Sequence, residues 1–235
     1  MPRRPPDPEA AVRDGARRYV GILLVQRALG AALFFLAAGR WEARGIAYFA
    51  VYTVTTAGAA ALLHRRDPEL LDARRRVQPG TEAWDRVLLL GYVLLAFYGV
   101  YAVAGAAVRL GHPPTAAGWF GAGMAITAVT CVLAVWPLLH NRGFESSVRI
   151  QRDRGQVVCT TGPYALVRHP GYAVILLWCA AVPMVFGPAA GLVAAAIVVV
   201  VVLRTALEDA MLRRELPGYA DYARRVRRRL LPGVW

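Results

Sequence analysis

The chain has 235 residues, 57% of them hydrophobic, and a formal net charge of +13. The apolar residues fall in long blocks, a pattern of membrane spans that excludes an ordinary soluble domain. The arginines gather at the ends of those blocks, which argues against nucleic-acid binding and for contact with anionic lipid headgroups. All 28 Lys-or-Arg residues are arginine, a bias that points to a GC-rich, bacterial genome and carries no functional weight.

Residues 1–18, "MPRRPPDPEAAVRDGARR", read as a mobile cytoplasmic arm. The charged stretch is too long for a signal peptide, and the apolar run behind it is of span length. Residues 19–140 hold four apolar blocks: 19–38, 45–63, 87–108 and 117–139. At 1.5 Å per residue each suffices to cross about 30 Å of hydrocarbon. Arg27 falls near the middle of the first block. There it either faces the bundle interior or snorkels to the interface.

Residues 141–235 form a third region of loop, helical hairpin and amphipathic tail. "VRIQ" and "QVVCT" flank "RDRG", which reads as a short hairpin or an extended loop. The apolar run 172–203 is too long for one ordinary span; Pro183 and the pair Gly187-Pro188 divide it. The arginine-rich segments alternate with arginine-poor connections, which puts both termini in the cytoplasm and predicts about six membrane-embedded helices. The expected fold is an all-α polytopic helix bundle with a cytoplasmic cofactor pocket. The hairpin brings Arg168-His169 and Glu208-Asp209 to one face, where a single long helix would separate them.

Spacing alone leaves a structural reading open for these residues. Pro170 suits the first turn of a helix. Arg168 and His169 suit an interfacial anchor, and Arg204 has the i,i+4 spacing for a pair with Glu208. Cys131, Cys159 and Cys179, and likewise His64, His112 and His140, lack metal-ligand spacing, so no metal site is expected.

"GPYALVRHPGY", an apolar hairpin, "RTALED" and "LPGYADYARRVRRRLLPGVW" together resemble the isoprenylcysteine carboxyl methyltransferase family, which is related to the membrane phospholipid N-methyltransferases. The likeness covers residues 141–235. It implies an S-adenosylmethionine site without a Rossmann domain, lined by Gly162, Pro163, Tyr164, Arg168, His169, Pro170, Tyr172, Glu208 and Asp209. The sequence departs from the family pattern at Val174, where a glycine is common, and at Asp209, where a second glutamate is common.

The chemistry of that cofactor suits these residue types. A carboxylate pair, Glu208 and Asp209, is expected at its cationic end, and Arg168 or His169 at its carboxylate. Tyr164 and Tyr172 are expected against the adenosine. His169 is the nearest general base for an amine or thiol acceptor, whereas a carboxylate acceptor needs none. Arg204, with Asn141 and Arg149, is the candidate for holding a lipophilic acceptor. Two other readings stay open: an NADPH-dependent membrane reductase resembling the sterol reductases, and a non-catalytic membrane protein.

Overall fold

The computed structural model describes residues 8–231. Helix α1 spans Pro8–Ala38, α2 Ala43–Arg66 and α3 Pro68–Ala73. Residues 8–18, expected as an arm, are the first turns of α1; residues 1–7 lie outside the described residues. Pairs spaced for a helix surface, Arg13–Glu9 at 2.8 Å and Arg17–Asp14 at 3.3 Å, support this exposed stretch. Asp67 caps α3, its Oδ1 accepting the Leu70 N–H at 3.0 Å, and Pro68 occupies the first turn.

Helix α4 (Ala83–Leu94) passes through a π-turn at Leu95–Gly99 into α5 (Val100–Arg109), making one apolar rod. Helices α6 (Ala117–Leu133) and α7 (Val135–His140) follow. Residues 141–169 then run irregularly, with short 3₁₀ turns at Arg152–Arg154 and Gly162–Ala165. The "VRIQ…QVVCT" stretch forms no strand among the described residues. Gln151 and Gln156 close it as a loop instead: the Gln151 N–H donates to Gln156 Oε1 at 2.9 Å, and the Gln156 N–H to Gln151 O at 3.2 Å.

The hairpin consists of α8 (Pro170–Phe186) and α9 (Pro188–Glu215), which pack along one another. Gly187 joins them with φ 86° and ψ 176°, a region essentially closed to residues with a Cβ. Pro188 opens α9 in its first turn. Pro183 does not end α8. It sits one turn before the end, and its own carbonyl accepts the Gly187 N–H at 2.9 Å. Helix α10 (Tyr219–Arg225) folds back against the end of α9.

Among the described residues five helical segments are long and apolar enough to cross a membrane, and Pro170–Phe186 is a shorter sixth. Large apolar side chains such as Val54, Val87 and Leu192 point outward, as lipid contact requires. The interior is aromatic and its tyrosine and tryptophan groups pair: Trp178 Nε1–H donates to Tyr48 Oη at 3.2 Å, and Tyr48 and Tyr101 share a 3.3 Å hydrogen bond. Six passes bring the first turns of α1 and the last turns of α9 to one end of the bundle. Arg74 closes that end, donating through Nε to Tyr19 Oη at 3.3 Å and through Nη1 to Phe144 O at 2.8 Å.

Since only glycine tolerates the backbone at the hairpin turn, Gly187→Ala should cost about 1–3 kcal/mol. Thermal unfolding of the detergent-solubilised protein should show a melting temperature lowered by several degrees. An unchanged value would mean that α8 and α9 join by another geometry.

Candidate active site

Asp209 is fully buried on α9 and collects hydrogen-bond donors from four parts of the chain. Arg168 grips it with two hydrogen bonds, Nε to Oδ1 at 2.7 Å and Nη2 to Oδ2 at 3.1 Å. Tyr219 Oη donates to Oδ1 at 2.9 Å, and Arg213 Nε and Arg229 Nε donate to Oδ2 at 3.0 and 3.1 Å. His169 Nε2 lies 3.5 Å from Oδ1 and 3.3 Å from Tyr219 Oη. A carboxylate offers about four lone-pair positions, so this one is saturated. The backbone reinforces the knot: the N–H groups of Arg168 and His169 donate to the carbonyls of Arg228 and Arg229, both at 2.9 Å. Arg168 Nη1 donates to the carbonyls of Val226 and Arg227, both at 2.8 Å. The C-terminal segment is thereby strapped across the start of α8.

Arg204 does not pair with Glu208. Its Nε donates to Asp85 Oδ1 at 2.5 Å, and its Nη2 to Asp85 Oδ2 at 3.2 Å and to Ser146 O at 2.8 Å. Asp85 Oδ2 also accepts the Val148 N–H at 2.7 Å. This second buried carboxylate ties α4, α9 and the 146–148 loop together. In the sequence Asp85 is one of several charges between the second and third apolar blocks. The available signal was that an arginine at the inner end of one span needs an acid at the entry of another.

Glu208 has a different environment. It is half-buried, and the one side-chain hydrogen bond it makes among the described residues comes from Tyr172 Oη at 2.7 Å to Oε2. The Tyr172 ring stacks on His169 with centroids 5.9 Å apart, and the Arg204 guanidinium lies 5.4 Å over it. Glu208 Oε1 takes no hydrogen bond among the described residues and borders a cavity of about 630 Å³. Asn141, Tyr164, Tyr172, Val174 and Arg204 border the same space. Asn141 Nδ2 donates to Tyr164 Oη at 3.2 Å, while Tyr222 Oη donates to the Tyr164 carbonyl at 2.7 Å. Burial pushes the Tyr164 phenol well above its ordinary value, so it stays a neutral donor and acceptor.

Gly162 has φ +57°, and a Cβ there would lie 2.4 Å from the His140 ring. Glycine lets the "GPY" turn close on the end of α7, and Pro163 then sits buried in that turn. Pro170 occupies the first turn of α8. Arg149 also borders the cavity but is held by acids of its own loop. It donates to both Glu145 oxygens at 2.8 and 2.9 Å and to Asp153 Oδ1 at 2.6 Å. These bonds hold its guanidinium charged and lower the Asp153 carboxyl below its ordinary range.

The structure thus gathers the residues of both sequence motifs at one end of the bundle, and divides them. Arg168, His169 and Asp209 bond chiefly to one another. Glu208, Tyr172, Tyr164 and Asn141 line the cavity, as do Arg168 and His169, whereas Asp209 lies behind it. Of the tail tyrosines not singled out in the sequence, Tyr219 completes the first group and Tyr222 supports Tyr164 in the second.

The sequence model of the isoprenylcysteine carboxyl methyltransferase (ICMT) family matches residues 123–214, from within α6 to the end of α9. The resemblance seen in the sequence motifs is therefore to this family. No curated protein matches the chain. The family match and the membrane-length helices together support a membrane methyltransferase.

The two neighbouring acids should separate by stability. Asp209→Asn removes the charge facing the buried Arg168 and the half-buried Arg229, and losing one partner of a buried ion pair costs about 3–5 kcal/mol. The variant should unfold at a much lower temperature in detergent, whereas Glu208→Gln, with one hydrogen bond to retain, should match the parent protein. Equal melting temperatures for both variants would contradict the division.

Proposed function

We propose, taking the ICMT-family stretch 123–214 as the premise, that the chain is an S-adenosylmethionine-dependent methyltransferase of the membrane. It transfers the methyl group to a lipophilic acceptor that enters from the bilayer and presents a carboxylate, amine or thiol at the cytoplasmic face. Glu208 carries the reading: a carboxylate with an open oxygen, facing a cavity, beside a tyrosine that fixes its orientation. When bound, the cofactor supplies a methyl group already activated by a sulfonium, so the protein's work is alignment and exclusion of water.

The residues present fit that group. Glu208 offers the negative charge its cationic end requires. Tyr172 and Tyr164 offer ring faces and hydroxyls to the adenosine, and Asn141 a carboxamide beside them. Asp209 acts one layer out, holding Arg168 and His169, which themselves line the cavity, together with α9 and the tail at the distances that shape the pocket. Arg204 is anchored by Asp85, and its Nη1, without a hydrogen bond among the described residues, is the part of it left for the acceptor head. Both chain ends lie on the arginine-rich, cytoplasmic side in this reading.

The decisive assay combines purified protein, methyl-labelled S-adenosylmethionine and total membrane lipid, with mass spectrometry of what becomes labelled. Label should pass to a lipophilic molecule. Glu208→Gln should weaken cofactor binding at least tenfold, roughly the loss of one charge-assisted contact. Binding of NADPH without binding of S-adenosylmethionine would reject the proposal in favour of a reductase.

A further inference from the structure

Helix α1 packs along α5 and meets the π-turn at Leu95–Gly99, but it does not pack along α4, which leans on α9 instead. A π-turn takes an extra residue into one turn, and here it marks where the α4–α5 rod parts from α1. Gly30 lets the two close again just beyond that point: a Cβ there would lie 2.8 Å from the Tyr101 ring and 3.0 Å from the Phe97 carbonyl oxygen. The cavity of about 630 Å³ fills the gap, lined by Ile22 and Gln26 of α1 and by Leu89 and Val93 of α4. Ile22 is 42% exposed, so the gap reaches the apolar outer surface of the bundle.

Arg27 stands at the closed end of this gap, where α1 meets the π-turn, and borders the cavity. It is only 8% exposed. Its guanidinium carbon sits 3.8 Å from the Tyr52 ring centroid and 5.0 Å from that of Phe97, a π-turn residue. The ring faces stabilise the cation but do not satisfy N–H donors lying in the guanidinium plane. Its Nε and Nη1 are buried with no hydrogen-bond partner among the described residues. Tyr19, whose hydroxyl meets Arg74 at the polar end of the bundle, precedes Arg27 by eight residues of the same helix. At 1.5 Å per residue Arg27 therefore lies about 12 Å deeper than that end.

A ligand whose head stands at Glu208 and Arg204 has the middle of its chain, not its head, at this depth. The group that suits Arg27 there is uncharged. An ionised group at mid-chain would have to shed its water to pass an apolar gap, whereas a carbonyl passes at far smaller cost. A carbonyl oxygen has two lone pairs and no proton, so it meets a donor-only guanidinium without needing an acceptor of its own. A hydroxyl would bring a further donor into a place that already has donors in excess.

We propose that the deep end of the cavity is a second polar subsite, in which Arg27 binds a neutral carbonyl carried partway along the acceptor's apolar chain. This rests on reading the cavity as the acceptor site, with the reacting head at Glu208 and Arg204. It goes beyond that reading by assigning the acceptor a second functional group and naming the residue that selects it.

The test is isothermal titration of the purified full chain, in a neutral detergent, with hexadecanol and with hexadecanols bearing one ketone at successive chain positions. Ketones at mid-chain should bind at least tenfold more tightly than hexadecanol, roughly the gain of one hydrogen bond to a charged group. Ketones next to the head or at the far end should show no gain. Arg27→Met should abolish the mid-chain gain, and Arg66→Gln, an exposed arginine outside the cavity, should keep it. Should Arg27→Met fail to fold, infrared spectra of the carbon-13-labelled ketone bound to the parent protein give the same answer: its carbonyl stretch should fall below its value in hydrocarbon. No gain at any position, a gain that survives loss of Arg27, or an unshifted carbonyl stretch would overturn the proposal. Titration of the same sample with S-adenosylmethionine keeps the two readings apart. Cofactor binding without a carbonyl gain would sink this inference alone, and a carbonyl gain without cofactor binding would sink the methyltransferase reading alone.

Discussion

A single buried carboxylate organises the polar end of this helix bundle. Asp209 receives two hydrogen bonds from Arg168, one each from Tyr219, Arg213 and Arg229, and has His169 alongside. An unpaired carboxylate so deeply buried would be costly, and so would the guanidinium of Arg168. Each is tolerable only while the other is in place. The start of α8, the end of α9 and the C-terminal tail are consequently interdependent, although the sequence separates Arg168 from Asp209 by 41 positions. The hairpin turn at Gly187 is the covalent condition for this pairing, since it returns the chain to the side from which α8 began.

A second pair, Asp85 with Arg204, repeats the arrangement on α9 five residues before Asp209 and attaches the first half of the chain through α4. Between and above these two knots Glu208 retains an open oxygen. The division follows from helix geometry: neighbouring residues on a helix point about a hundred degrees apart, so Glu208 and Asp209 face different surroundings. One face carries the acid that fixes structure, and the adjacent face carries the acid that borders the cavity. Mixed polar and apolar lining suits a charged cofactor at one end and a lipid-like acceptor along the rest.

Much of this was legible in the sequence because membrane spans impose a strong, simple pattern. Block lengths gave the helix count, and Gly187-Pro188 gave the hairpin, since glycine and proline interrupt an apolar run for definite steric reasons. The limits are equally physical. Residues 8–18 read as an arm because they are polar, yet local charge pairs and alanines favour a helix there irrespective of polarity. Pro183 read as a break, yet one turn from a helix end it forfeits little. Asp85 escaped notice because its partner lies 119 positions away, and no local spacing announces such a pair. The motifs "RHP" and "ED" marked the right neighbourhood, but which acid is saturated and which is open depends on side-chain directions that one-dimensional spacing does not encode. Arg27 was visible as an anomaly, and the structure resolves it as interior-facing and buried.

The central claim is that the 141–172 loop and the inner end of α9, locked together through Asp209, form one nucleotide-binding pocket. Ultraviolet cross-linking of labelled S-adenosylmethionine to the purified chain, followed by peptide mapping, tests it most directly. Label should concentrate in peptides covering residues 141–172 and 204–222, and excess unlabelled cofactor should displace it. Displaceable label confined to α2, α5 or α6 would contradict the account.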